Sequence, residues 1–422
     1  MRVLVCDDQK DRAMEASEAI HRSGIDAEVE ELVEGALTEA LHRLFKRVES
    51  GVKDPIGYDL GEKLEFDDYD LVIFDNNLAE LKIASARLTA ESMVGYVRAF
   101  SNCPYCVSLN KNPDVDFDLR YLVGDYETRA DLALNTRHLS NLGLWTGRPE
   151  DAEDGFLPWY WPALSEAPAR RREQVTFIQE HLDQRILSAL GLPTDELAIG
   201  FLSLHGQGAL VPNKRAAEWS FIDVFRERDR SLPAETKEDR EGISKAVERE
   251  HIASLVARVV AADVDLWFRR DLVAPQEMLI DIPHLVMRMP FLLAGDTSDP
   301  KVWNDAATCH SAPFGLKSEL YSEHLEWARF QKEVWVQRPV FLWPSLKENE
   351  ALDELFFEWA SKEMEVADVV FCEDRSVFSP RAAAGTESTP KEFGAEFEGA
   401  WTRRFVAKVD GYGYRPLSRF AA

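Results

Sequence analysis

The chain has 422 residues, of which 45% are apolar and 29% charged, so it is long enough for two or three domains of ordinary globular composition. That balance excludes collagen-like, low-complexity and wholly disordered classes. Forty-nine Lys and Arg against 75 Asp and Glu leave a formal charge of −26, and this field repels phosphate backbones and anionic lipid, so neither nucleic acid nor a membrane is an expected partner. The acidity is spread along the chain: residues 1–150 carry 17 basic against 29 acidic side chains, and residues 151–422 carry 32 against 46. No apolar run reaches the roughly 20 residues that span a bilayer. The opening run Met1-Arg-Val-Leu-Val-Cys-Asp-Asp8 turns acidic too early for a secretory leader. Five cysteines are an odd number and few for this length, which argues against a disulfide framework. A cytoplasmic protein with reduced thiols is expected.

In chain order, Arg2–Cys6 reads as a buried strand, and the residues to Ser23 as a helix ended by Gly24, with Ala13, Ala16, Ala19 and Ile20 on one face. Residues 25–32 predict a second strand. Residues 33–50 predict a second helix, on the spacing of Ala36, Leu37, Ala40, Leu41, Leu44 and Val48. The polar stretch 51–68, with Gly51, Pro55, Gly57 and Gly61, reads as an inserted loop. Tyr69–Phe74 is a third strand that delivers Asp75-Asn76-Asn77 at its end. Residues 89–100 then predict a helix, Tyr105–Leu109 a fourth strand, Tyr121–Gly124 a fifth, and Thr128–Leu142 a closing helix. Alternating strands and helices imply a parallel sheet covered on both faces.

All 11 Trp fall from Trp145 onward, and Gly147–Asp154 is polar and acidic, which puts a domain boundary near residue 148. Residues 149–422 are expected to form a larger mixed α+β domain. In it, 169–190, 240–271 and 350–365 predict helices, 278–293, 334–343 and 367–372 contain strand-like runs, and Gly385–Pro390 reads as a loop.

Ligands of parallel sheets bind beyond the carboxyl ends of the strands, at the switch point of the strand order. The acidic residues fall there: Asp7 and Asp8 after the first strand, Asp75 after the third. Neighbouring carboxylates repel one another unless a cation lies between them, and hard oxygen donors of this kind suit Mg²⁺. With that charge screened, a carboxylate oxygen can attack a phosphoryl donor in line, and Asp75, alone at its strand end, is the expected nucleophile.

The succession Val-Leu-Val-Cys-Asp7-Asp8, Tyr-Asp-Leu-Val-Ile-Phe-Asp75 and Val107-Ser108 resembles the receiver domain of bacterial two-component response regulators, over residues 1–148. The resemblance implies a flavodoxin-like, doubly wound, five-stranded parallel α/β domain. It implies that Asp7, Asp8, Asp75 and the backbone carbonyl of Asn77 hold Mg²⁺. Asp75 would accept a phosphoryl group from a histidine kinase or another phosphorelay protein, and Ser108 would be the hydroxyl that turns toward it. Gly95 sits where such domains often carry a glycine. The family usually ends its fifth strand with Lys-Pro, whereas the predicted fifth strand here ends Gly124-Asp125, and Lys111, the nearest substitute, follows the fourth strand. Asp75 is also not followed by the usual Met-Pro.

Other signals are weaker than their plain structural readings. Cys103-Pro-Tyr-Cys106 has the form of a thiol redox site, but Asn110, Asn112 and Pro113 stop the helix such a site needs, and Cys106 fits the fourth strand. His205-Gly-Gln-Gly208 reads as a glycine turn, and Arg170-Arg-Arg172 as a solvated helix start. Asp281, His284, Cys309, His310, Glu373 and Asp374 are offered as metal or acid–base groups, each more often a cap or a satisfied core polar group. The aromatic stretch Trp327–Trp343, with Trp159-Tyr-Trp161, suits core or a protein-binding surface for an effector.

The leading expectation is a phosphorelay regulator signalling through a C-terminal domain that does not bind DNA. The alternatives are a pseudo-receiver adaptor, or a receiver-regulated metal-dependent hydrolase that gathers His205, Asp281, His284 and Asp374 around one pocket.

Overall fold

The computed structural model describes residues 1–53, 63–78, 81, 88–110, 129–192, 220–222, 250–273, 278–309, 311–330, 332–382, 385–387 and 404–407. Lys111, the expected strand Tyr121–Gly124, Asp125, His205–Gly208 and His310 lie outside these residues. The chain forms two compact units. It leaves the first after Gly147, returns to it at Pro162 and leaves it again after Leu266; Arg148–Trp161 and the residues from Trp267 onward belong to the second.

The first unit holds β1 (Arg2–Asp7), α1 (Lys10–Ser23), β2 (Glu28–Val33), α2 (Glu34–Lys53), β3 (Leu71–Asp75), α3 (Ala90–Phe100), β4 (Tyr105–Leu109) and β5 (Leu132–Leu134). After β5 come α4 (Thr136–Ser140), α5 (Leu142–Thr146), α6 (Ala167–His181) and α7 (Ile186–Leu190). The five strands are all parallel and ordered β2-β1-β3-β4-β5, a flavodoxin-like arrangement. β3 and β4 are buried along their whole length, as expected of strands covered on both faces. On one face Leu4, Cys6, Val72, Phe74 and Cys106 pack with Leu37, Leu41 and Leu44 of α2 and Met93, Val94 and Val97 of α3. α1 buries Ala13, Ala16, Ala19 and Ile20, packs against α4, and ends at Gly24, whose φ of 79° suits a residue without a Cβ. Edge strand β2 keeps Glu28, Glu30 and Glu31 in solvent, where like charges discourage pairing with another chain.

Three expectations are corrected in this unit. The strand beside β4 is Leu132–Leu134, inside the stretch read as the closing helix Thr128–Leu142. Its Leu-Ala-Leu composition favours a helix, but Leu132 and Leu134 are buried on alternating positions and Asp131 just before them is tied into the interior, so tertiary contacts override propensity. The 51–68 stretch is not all loop: α2 runs on to Lys53, and Glu65–Asp68 makes a 3₁₀ turn. The predicted helix 169–190 is broken into α6 and α7.

In the second unit β6 (Leu279–Asp281) pairs antiparallel with β7 (Val340–Leu342). A four-stranded sheet of β8 (Val369–Cys372), β9 (Val377–Pro380), β10 (Gly385–Glu387) and β11 (Arg404–Val406) runs in the order β10-β11-β8-β9. β11 lies parallel to β8 and the other neighbours are antiparallel, so this unit is mixed α+β. Residues 278–293 yield only a three-residue strand. Asp281 then caps the helix Ile282–Arg288 by accepting from the His284 amide at 3.3 Å, and Pro283 suits its first turn. Gly385–Glu387, read as loop, is a strand, because pairing with β11 supplies backbone bonds that the Gly-Thr-Glu side chains do not announce.

Candidate metal centre

β1 and β3 are neighbours in the sheet although β2 lies between them in sequence, so the switch point of the strand order falls between their carboxyl ends. Asp7 closes β1, Asp8 follows it, and Asp75 closes β3. Each offers a carboxylate oxygen within 4.8 Å of those of the other two, and among the described residues no other set of three His, Cys, Asp or Glu side chains converges in this way. All three are buried. The Gln9 amide donates to Asp7 Oδ1 at 2.9 Å and the Asn77 amide to Asp75 Oδ2 at 3.3 Å, so the turns after β1 and β3 orient the carboxylates. Hard anionic oxygens at this spacing fit a divalent cation such as Mg²⁺, which would also relieve their mutual repulsion.

The structure brings Asp7, Asp8 and Asp75 together and sets Asn77 beside them, where an isolated bridge to Thr89 fixes its backbone. Ser108 stands differently. The register of β3 and β4 puts Asp75 level with Leu109 and Phe74 level with Ser108. Since side chains alternate along a strand, Ser108 shares the face of Phe74 and Cys106 and not that of Asp75. At the next strand Leu109 is level with Leu134, and Asn135 follows as the cap of α4, accepting from the His138 amide at 3.0 Å. The residue ending β5 is therefore Leu134, not a lysine.

The Cys103–Cys106 pair lacks the helix start that lowers the pKa of a reactive thiol. Cys103 precedes a strand, both thiols are buried, and burial holds the Cys103 thiol well above the usual range, away from a reactive thiolate.

Sequence reading missed a buried ionic network in the first unit and misjudged one of its members. Arg171, expected on a solvated helix start, is only 2% exposed. Its Nη1 lies 2.8 Å from Asp131 Oδ1, its Nη2 3.0 Å from Asp265 Oδ2, and its Nε donates to Gln174 at 2.8 Å. Arg98 Nη2 reaches the same Asp131 oxygen at 2.8 Å, while the Cys106 amide donates to Asp131 Oδ2 at 2.8 Å. Burial opposes ionisation of Asp131, but the two guanidiniums and the Cys106 amide outweigh it and lower its pKa. The network ties α3, α6 and the helix Glu250–Trp267 to the β4–β5 edge. The only sequence signal was the Asp directly ahead of Leu132-Ala-Leu134.

In the second unit Asp281, His284 and Glu373 meet in the interior. His284 Nδ1 is 2.5 Å from Asp281 Oδ1 and its Nε2 is 3.5 Å from Glu373 Oε1, and the Trp159 indole N–H donates to Asp281 Oδ2. Burial opposes the imidazolium, yet the two carboxylates prevail and raise the His284 pKa; Asp281 is correspondingly lowered. The two ring nitrogens face different carboxylates, so the three residues do not offer one donor each to a shared ion. Asp374 is engaged separately, its Oδ1 accepting from the Ala407 amide at 2.7 Å.

Compared with known protein families, with curated proteins and with solved structures, the chain matches none.

Proposed function

We propose that the first unit is a receiver-like phosphoacceptor, in which Asp7, Asp8 and Asp75 hold Mg²⁺ and Asp75 takes a phosphoryl group from the phosphohistidine of a partner kinase. The observation that carries this reading is the convergence of three buried carboxylates at the β1/β3 switch point of a parallel β2-β1-β3-β4-β5 sheet. The ion would supply the positive charge that cancels repulsion between Asp75 and the incoming group. An Asp75 oxygen forms the new P–O bond while the donor's P–N bond breaks, and the released imidazole nitrogen takes a proton from water. The Asn77 amide steadies Asp75 for this step, and the Gln9 amide steadies Asp7. The added charge then alters the surface around β1 and β3 that other proteins read.

A second reading, a pseudo-receiver that binds the cation and acts as an adaptor, is favoured by two particular features: Ser108 shares the Phe74 side, and β5 ends in Leu134. One experiment separates the two. The full chain is incubated with Mg²⁺ and phosphoramidate and its intact mass is measured beside that of Asp75→Asn and Ser108→Ala. A phosphate-sized gain in the wild type and in Ser108→Ala, absent in Asp75→Asn, supports phosphoacceptance. No gain from phosphoramidate or a phosphorylated kinase, with Mg²⁺ binding intact, supports the adaptor.

A further inference from the structure

The helix Glu350–Ser361 of the second unit is capped by Asn349, whose side chain accepts from the Ala351 amide at 3.1 Å. It buries only Leu352. Its remaining apolar side chains form an aromatic group: Phe356 and Trp359 stand 5.9 and 6.3 Å from the buried Phe291 ring, and Phe357 stands 5.8 Å from Phe356. This group breaks the surface. Phe357 is 69% exposed and Phe356 42%, and in the segment leaving the helix Met364 is 46% and Val366 40% exposed. These are four of the seven exposed large apolar side chains among the described residues, gathered within 356–366. Such concentration on one short element marks an interaction surface more than scattered exposure does.

The charge around it selects the partner. Residues 348–368 carry eight acidic side chains and one basic one, Lys362, and that lysine is already paired with Glu358 at 2.7 Å. A second copy of the chain would bring the same carboxylates to its own, and an anionic membrane or nucleic acid would be repelled likewise. We infer that this face docks a basic amphipathic helix of another protein, whose aliphatic stripe covers Phe356 and Phe357 while its Lys and Arg meet the surrounding carboxylates.

The test is fluorescence anisotropy of a labelled helical peptide of Leu and Lys at amphipathic spacing, titrated with the full chain. A peptide of the same composition in scrambled order is the control. Binding is expected to prefer the amphipathic order, to weaken with salt, and to fall about tenfold or more in Phe357→Ser and in Glu354→Lys. Glu18→Lys, an exposed position on the first unit, should leave it unchanged. Equal binding of both peptides, or equal losses in Glu18→Lys and Phe357→Ser, would overturn the proposal. So would binding to phosphatidylserine vesicles, or concentration-dependent dimerisation, that Phe357→Ser abolishes.

Discussion

Arg171 and Asp131 form an ion pair in the interior of the first unit, with Nη1 2.8 Å from Oδ1 and both side chains shielded from water. Asp131 also receives Arg98, and Arg171 also receives Asp265, so neither charge has a single partner. Removing one member strands the others in a medium that solvates charge poorly.

Replacing Arg171 with Met is therefore expected to destabilise the first unit by about 3–5 kcal/mol. The neighbouring Arg172 pairs with Asp70 at 2.5 Å but is more than half exposed, and Arg172→Ala should cost no more than about 1 kcal/mol. Urea unfolding of the two variants checks the contrast; equal losses would contradict the network's role.

The carboxylate triad predicts a cation-dependent stability. Mg²⁺ binding only the folded chain should raise the melting temperature, by about 2.7 kcal/mol of stability when the ion stands at a hundred times its dissociation constant. Asp75→Asn removes one of the three carboxylates that would hold the ion, so it should gain less stability from Mg²⁺ than wild type. Thermal melts with and without Mg²⁺ decide it.

His284 has a raised pKa and Asp281 a lowered one in the folded chain. Stability from the imidazolium is complete below the ordinary histidine value of 6.5 and is lost as pH rises through the higher folded value. Stability from the Asp281 carboxylate is present above 3.8 and is lost as pH falls through its lower folded value. The advantage of wild type over His284→Gln should therefore be largest between these limits and shrink on the alkaline side of 6.5, as read by urea unfolding across pH.

Two glycines with positive φ separate backbone strain from crowding. At Gly24 a Cβ meets nothing within 4 Å, so Gly24→Ala should lose only the left-handed backbone cost of about 1–2 kcal/mol. At Gly315 a Cβ would lie 2.7 Å from the Ala306 Cα, a backbone atom that cannot swing aside. Gly315→Ala should lose clearly more, and comparing the two by denaturant midpoint tests the difference.

The sequence by itself determined the first four strands, the helices between them and the acidic residues at the ends of the first and third. Each of these rests on local information: apolar runs a few residues long, helical spacing, and a helix stop at Gly24. It also led to Asp7, Asp8 and Asp75 as a group, because strand order in such sheets brings the first and third carboxyl ends together. Only the tertiary structure decided what lies beside Asp75. A shift of one residue in the β3–β4 register moves Ser108 to the opposite face, and no local pattern specifies that register. Tertiary contacts likewise made Leu132–Leu134 a strand, since Asp131 is held there by Arg98 and by Arg171, 40 residues on. The same holds for the Asp281–His284–Glu373 cluster: Asp281 and His284 are one helical turn apart, but only the folded chain brings Glu373, from a distant segment, against the other ring nitrogen.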